Sequence, residues 1–183
     1  MPDRIGSVGG HVVMIANRKT EKACVLGWRS KQLRRVVHSS LAAEALAHLE
    51  LLGDIKYTRD MLQQMFGKQA LEIPCINVTD SKNLWEAVHS LKSVDDRRLT
   101  GTIAEIKEAM LEMGPIELRH LPGDCMLADG LTKKGGNSEE LMLLLRTGRF
   151  ELKGGWEINS RIADIERRTW MDLNREKADD DEF

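Results

Sequence analysis

The chain has little cysteine, no long apolar run and almost no net charge, and each shortage removes a class of proteins. Its three cysteines, Cys24, Cys75 and Cys125, stand far apart without a CxxC or CxxH pairing, which indicates neither a disulfide framework nor a zinc site. Buried free thiols in a reducing compartment are the simpler account. The longest apolar runs are four or five residues, as in Leu141 to Leu145, and the first residues hold no basic segment followed by an apolar one. Neither a membrane span nor a secretory signal is expected, so the sequence reads as intracellular, cytoplasmic or nuclear, with no membrane partner. A net charge of -2 with 31% charged residues neither demands nor excludes a nucleic-acid partner, and any basic surface must be local.

What is present is a regular succession of periodic segments. The 183 residues suit one domain with a sizeable core, followed by a tail. GGHVVMIANRK (9–19) and EKACVLGWRSKQ (21–32) are β-rich runs around a polar link, the pattern of an antiparallel hairpin. From Ser40 to Phe66 apolar residues recur at three- and four-residue steps, through Leu41, Ala45, Leu49, Leu52, Ile55 and Leu62, before Gly67 closes a long helix. EIPCINVT (72–79) fits a buried strand, and SKNLWEAVHSLK a helix entered directly from its end. Leu99, Ile103, Ile106, Met110 and Met113 make a further helical stripe; PIELRH then reads as a strand, DCMLADGLTK as a short helix and NSEELMLLLRTG as another. The expected order is strand, strand, helix, strand, helix, helix, strand, helix, an α/β class. Beyond Trp156 a helix is expected around Ile162 to Leu173, and the acidic KADDDEF end reads as solvated chain.

Glu44 stands among the alanines and leucines of HSSLAAEALAHLELLGDI (38–55). It precedes Leu62 by 18 residues, five turns at about 3.6 residues each, so it shares an azimuth with core-facing leucines. A bare carboxylate there is costly without an Arg or Lys, backbone N–H groups or a metal ion. The bland alternative is an acid in the first turn favoured by the helix dipole. Asp80 ends a buried strand where a helix begins, a place where ligands gather in α/β sheets, and Asp is equally a good N-cap for the helix that follows. Asp129 lies within the short helical stretch CMLADGLT, where neither propensity nor capping asks for it.

VLGWRSKQLRRVVHSSLAAEALA (25–47), INVTDSKNLWEAV (76–88) and LRHLPGDCMLADGLTKK (118–134) together resemble the ribonuclease H domain at the end of copia-type retrotransposon polyproteins. The resemblance runs over about residues 5 to 135, in the WRSKQ run, S-S-x-x-A-E, the strand-end Asp and A-D-x-L-T-K. It implies a mixed sheet of five strands flanked by helices, and two-metal hydrolysis of the RNA strand of RNA/DNA hybrids. It also implies four acids holding two Mg²⁺ ions, with Mn²⁺ able to substitute. By motif position Glu44, Asp80 and Asp129 match three of these acids as catalytic and metal-holding residues. Two Mg²⁺ ions about 4 Å apart activate a water and stabilise the leaving 3′ oxygen, and such hard cations prefer carboxylate oxygens to Cys or His.

The family's remaining acid lies in its first strand, upstream of the stretch matching IGSVGGHVVMI. The resemblance therefore implies that this strand is missing, that the sheet exposes an unpaired edge and that metal binding is impaired. The chain would be a fragment of a longer polyprotein, with an upstream reverse transcriptase domain as a partner, or a decayed copy. Residues 1–135 would form the ribonuclease H-like domain, incomplete at its N-terminus, and 136–183 a helical extension with an acidic tail. For a hybrid substrate, Arg29, Lys31, Arg34 and Arg35 form the one concentrated basic run, suited to backbone phosphates; a solvated basic turn is the bland alternative. Ser39 and Ser40 read first as caps of the long helix and second as phosphate or 2′-hydroxyl contacts. A non-catalytic remnant of the same fold, with weak nucleic-acid binding at most, is the competing reading. An integrase of the same superfamily is disfavoured because its glutamate follows two aspartates, whereas Glu44 precedes Asp80 and Asp129.

Overall fold

A computed structural model describes residues 7–33, 39–90, 96–113, 116–133, 135–136 and 138–152. The expected helix around residues 162–173 lies outside them. Strands β1 (Val8–Asn17) and β2 (Lys22–Gln32) form an antiparallel hairpin, closed by a turn in which Asn17 Oδ1 accepts from the backbone N–H groups of Lys19 and Thr20. Helix α1 (Ser40–Phe66) follows, and Ser39 caps it by accepting from the Ala42 N–H. At its other end Gly67 takes φ +73°, a left-handed backbone that a side chain would resist.

Strand β3 (Cys75–Thr79), helix α2 (Lys82–His89), helix α3 (Arg97–Glu112) and strand β4 (Ile116–His120) come next, with β3 and β4 paired in parallel. Helices α4 (Asp129–Thr132) and α5 (Glu139–Thr147) complete the five helices among the described residues. The element order is the one expected from the sequence, in a mixed α/β architecture.

The strands do not form one sheet. Among the described residues they make two separate two-stranded sheets, β1-β2 and β3-β4. The core sits on the β3-β4 side. There Ile116 and Leu118 of β4 pack with Leu52 and Ile55 of α1, Leu84 of α2, and Leu99, Ile103, Ile106 and Met110 of α3. Trp85 on α2 donates its indole N–H to the Leu118 carbonyl, locking that helix to β4. Within β4 the buried Glu117 is satisfied by both Nε and Nη2 of Arg119.

The hairpin is attached differently. Of its twenty-one residues only His11 is buried, and its links to the rest are largely polar. His11 Nε2 lies 2.7 Å from Asp54 Oδ2 on α1, and Arg29 donates to the other oxygen of Asp54 at 2.8 Å. Lys31 reaches Glu50 at 3.3 Å, and Ser30 donates to the Leu131 carbonyl of α4. Close packing adds to these tethers at Gly10, where a Cβ would stand 2.7 Å from Thr132 Cγ2. Any side chain there would push α4 away. The segment after α5 belongs to this side of the molecule: Phe150 N–H donates to the Glu21 carbonyl, and Arg149 bridges Lys22. Part of the 136–183 extension therefore packs on the hairpin.

Candidate active site

The two sheets flank a cavity of about 920 Å³, and Glu44, Asp80 and Asp129 all line it. Three different elements deliver them. Glu44 is half-buried in α1, beyond the first turn, which holds no acid, so the helix-dipole account of it fails. Asp80 directly follows β3. It is not the cap of α2: Ser81 takes that place by accepting from the Leu84 N–H. This removes the structural alternative that competed for Asp80. Asp129 is the first residue of α4 rather than an interior one, because the helix begins only there. The dipole of that short turn tolerates an acid at its start, so the propensity argument for Asp129 does not hold.

Lys133 joins the three carboxylates. Its ammonium pairs with Asp129 Oδ1, and its proton affinity is raised first by that hydrogen bond, against an opposing effect of burial, and further by the charges of Asp129, Asp80 and Glu44. The carboxyl of Glu44 is pushed above the usual range chiefly by burial, then by repulsion from Asp80, with Lys133 acting in the opposite direction. Glu44 thus holds its proton to a higher pH than a free glutamate does. Gly136 folds back over α4 so closely that a Cβ would stand 2.5 Å from the Asp129 carbonyl oxygen.

The donor type suits a hard divalent cation, since the three acids offer carboxylate oxygens alone. Their spacing is a different matter: among the described residues no three His, Cys, Asp or Glu side chains lie close enough to share a metal ion. As the chain stands, the ammonium of Lys133 supplies the positive charge. Lys133 carried no role in the sequence reading, although it closes the A-D-x-L-T-K motif and stands four residues after Asp129.

The basic run is only partly placed. Arg29 and Lys31 alternate along β2 on the side facing α1, where Asp54 and Glu50 take their charges. They brace the hairpin in this arrangement. Arg34 and Arg35 lie outside the described residues. Ser39 caps α1, its first-expected role, and Ser40 lies exposed at the cavity. Two further polar groups were not anticipated. His48 and Asn77 are buried at the cavity wall, and among the described residues neither His48 Nε2 nor Asn77 Nδ2 has a hydrogen-bond partner. Burial, with His11 nearby, pushes the His48 imidazole down to about 4, so it is neutral at pH 7.

No protein-family model, curated protein or solved structure matches the chain. Among the described residues no helix is long and apolar enough to cross a membrane.

Proposed function

We propose that the chain is the ribonuclease H-like nuclease domain of a copia-type retrotransposon polyprotein, hydrolysing the RNA strand of RNA/DNA hybrids. The observation that carries this reading is electrostatic: Glu44 from α1, Asp80 from the end of β3 and Asp129 from α4 act on one ammonium, that of Lys133, at one cavity. Asp129 pairs with this ammonium while Asp80 and Glu44 feel its charge from the same cavity, an arrangement that a structural role for each acid alone does not require. Glu44, Asp80 and Asp129 would have to draw closer together than they stand here to hold Mg²⁺ in place of the Lys133 ammonium. Mg²⁺ held there would supply an activated water and neutralise charge at the scissile phosphate. The chain's own contribution is to lower the cost of gathering the carboxylates: Lys133 offsets their repulsion before a cation arrives, and Gly136 lets the following loop close over Asp129.

In a chain extended upstream to restore the first strand, a labelled RNA/DNA hybrid with Mg²⁺ is expected to lose its RNA strand and keep its DNA strand, whereas cleavage by the chain as given is impaired. Asp80→Asn abolishes the cleavage. A hybrid that stays whole under these conditions removes the enzyme reading.

One observation favours the second reading, a non-catalytic remnant with weak nucleic-acid binding. The carboxylates stand too far apart to share an ion, and Arg29 and Lys31 already pair with acids of α1. That reading predicts hybrid binding that falls as salt rises, with no cleavage; salt-independent or absent binding eliminates it.

A further inference from the structure

The fold gathers a patch of positive charge that no run in the sequence announces. Arg29 and Lys31 are taken by acids of α1. Arg18, Lys19 and Lys22 at the turn of the hairpin, with Arg146 and Arg149 around the end of α5, are instead exposed and form no ion pair among the described residues. Backbone bonds clamp the two segments together: Ala23 N–H donates to the Gly148 carbonyl, Phe150 N–H donates to the Glu21 carbonyl, and Lys22 bridges Arg149. At this junction Glu21 has a left-handed backbone, φ +55°, uncommon outside glycine. Lys22 and Arg149 stand directly opposite each other, where like charges weaken a strand pair. Within 18–22 and 146–151 five cations stand against two acids, Glu21 and Glu151, an excess of three positive charges. Such an arrangement works against stability unless an anion relieves it.

The patch is remote from the candidate acids. Gly10, which abuts α4 at their end of the hairpin, precedes Asn17 by seven residues of strand, roughly 23 Å at about 3.3 Å each. A phosphate at Glu44, Asp80 and Asp129 is therefore out of its reach. We infer that the acidic block Asp179, Asp180, Asp181 and Glu182 of the chain itself docks on this patch, against Arg18, Lys19, Lys22 and Arg149. Three observations select this occupant over a polyanion from outside. The chain continues toward the block directly from the patch, because Arg149 and Phe150 are the residues joined to the hairpin. About thirty residues then separate Phe150 from Asp179, and a tether of that length presents the block at an effective concentration on the order of millimolar. Finally, 179–182 is the only run of four like charges in the sequence, and its sign is complementary to the patch. Docked there, the block screens the patch from other polyanions. The contact involves neither a metal ion nor hydrolysis, so it stands or fails separately from the function proposed above.

Cys24, exposed and two residues from Lys22, offers a reporter site. In the full chain with Cys75→Ser and Cys125→Ser, a nitroxide on Cys24 should broaden the backbone amide signals of 179–182 at low salt. The broadening should vanish at about 1 M salt, where charges are screened within about 3 Å. Lys19→Glu, Lys22→Glu and Arg149→Glu together should weaken the contact roughly tenfold, and adding Asp179→Lys, Asp180→Lys and Asp181→Lys to that variant should recover it. Because the three patch side chains are exposed, their reversal keeps the fold. With every cysteine in place, Asp179→Asn, Asp180→Asn and Asp181→Asn should shift the amide signals of 18–22 and 146–150. Signals that stay in place overturn the inference, as do amides of 179–182 untouched by the label or broadening indifferent to the reversal. An RNA/DNA hybrid that moves the signals of 18–22 equally with the acidic and the neutralised block would make the patch an open nucleic-acid surface, which also overturns it.

Discussion

The parallel pair β3-β4 and the hairpin β1-β2 are held to the same long helix by different forces. β4 buries Ile116 and Leu118 in a continuous apolar cluster with three helices, whereas no apolar residue of the hairpin is buried. Apolar burial is non-directional and scales with area, so it tolerates small shifts of the helices against β3-β4. The hairpin instead hangs on a few directional contacts, the His11–Asp54–Arg29 chain, Lys31–Glu50 and Ser30 to Leu131, each of which fixes a position. A core built on one sheet and polar tethers on the other leave the space between them open, and the candidate acids collect at its end.

The largest expected effect lies in the core. Ile106 is fully buried, and Ile106→Ala should cost on the order of 2–5 kcal/mol in denaturant unfolding, lowering the stability of the whole chain. A loss confined to one sheet would mean that the two regions unfold independently.

Next is a pH effect at the cavity wall. His48 has a folded-state pKa of about 4 against 6.5 for the free side chain. Above 6.5 neither state is protonated there; between 6.5 and about 4 the unfolded chain takes up a proton that the folded chain refuses. Stability should therefore fall as pH drops through that window, by on the order of 3 kcal/mol at its lower end. His48→Leu should flatten this slope in chemical denaturation measured across pH.

Asp54→Ala tests the tethers, since it leaves both His11 and Arg29 without their shared acid. A cost of about 1–3 kcal/mol is expected, read as faster amide exchange in residues 8–32 with little change in 116–120. Equal loosening of both regions would erase the contrast drawn between them.

Glu44→Gln acts in the opposite direction. The raised pKa of Glu44 means that its contribution is favourable below 4.5 and lost as pH rises through the folded-state value. At pH 7 the variant should melt at a higher temperature than the parent, with the difference vanishing in acid. Smallest is Lys82→Ala, which removes an exposed ion pair with Glu86 and should cost no more than about 0.5 kcal/mol.

The elements were legible in the sequence because local signals agree: the apolar stripe of α1 ends at Gly67, and the stripe from Leu99 to Met110 is the buried face of α3. The division into two sheets was not legible, since strand periodicity says which residues pair but not which strands remain apart. For the acids, spacing located Glu44, Asp80 and Asp129 on three elements, while the role of Lys133 depended on α4 folding onto the hairpin through Ser30 and Gly10. The partners of the basic run were hidden for a similar reason. Glu50 and Asp54 lie four residues apart on α1, and only the tertiary arrangement shows that they face Arg29 and Lys31.

The most direct measurement is a Mn²⁺ titration of the full chain followed by electron paramagnetic resonance. The free-ion signal should fall as protein binds Mn²⁺, Mg²⁺ should restore it by competition, and Asp80→Asn or Asp129→Asn should abolish the uptake. A free-ion signal unchanged by the protein, or uptake that persists when both aspartates are replaced, would contradict a cation site formed by Glu44, Asp80 and Asp129.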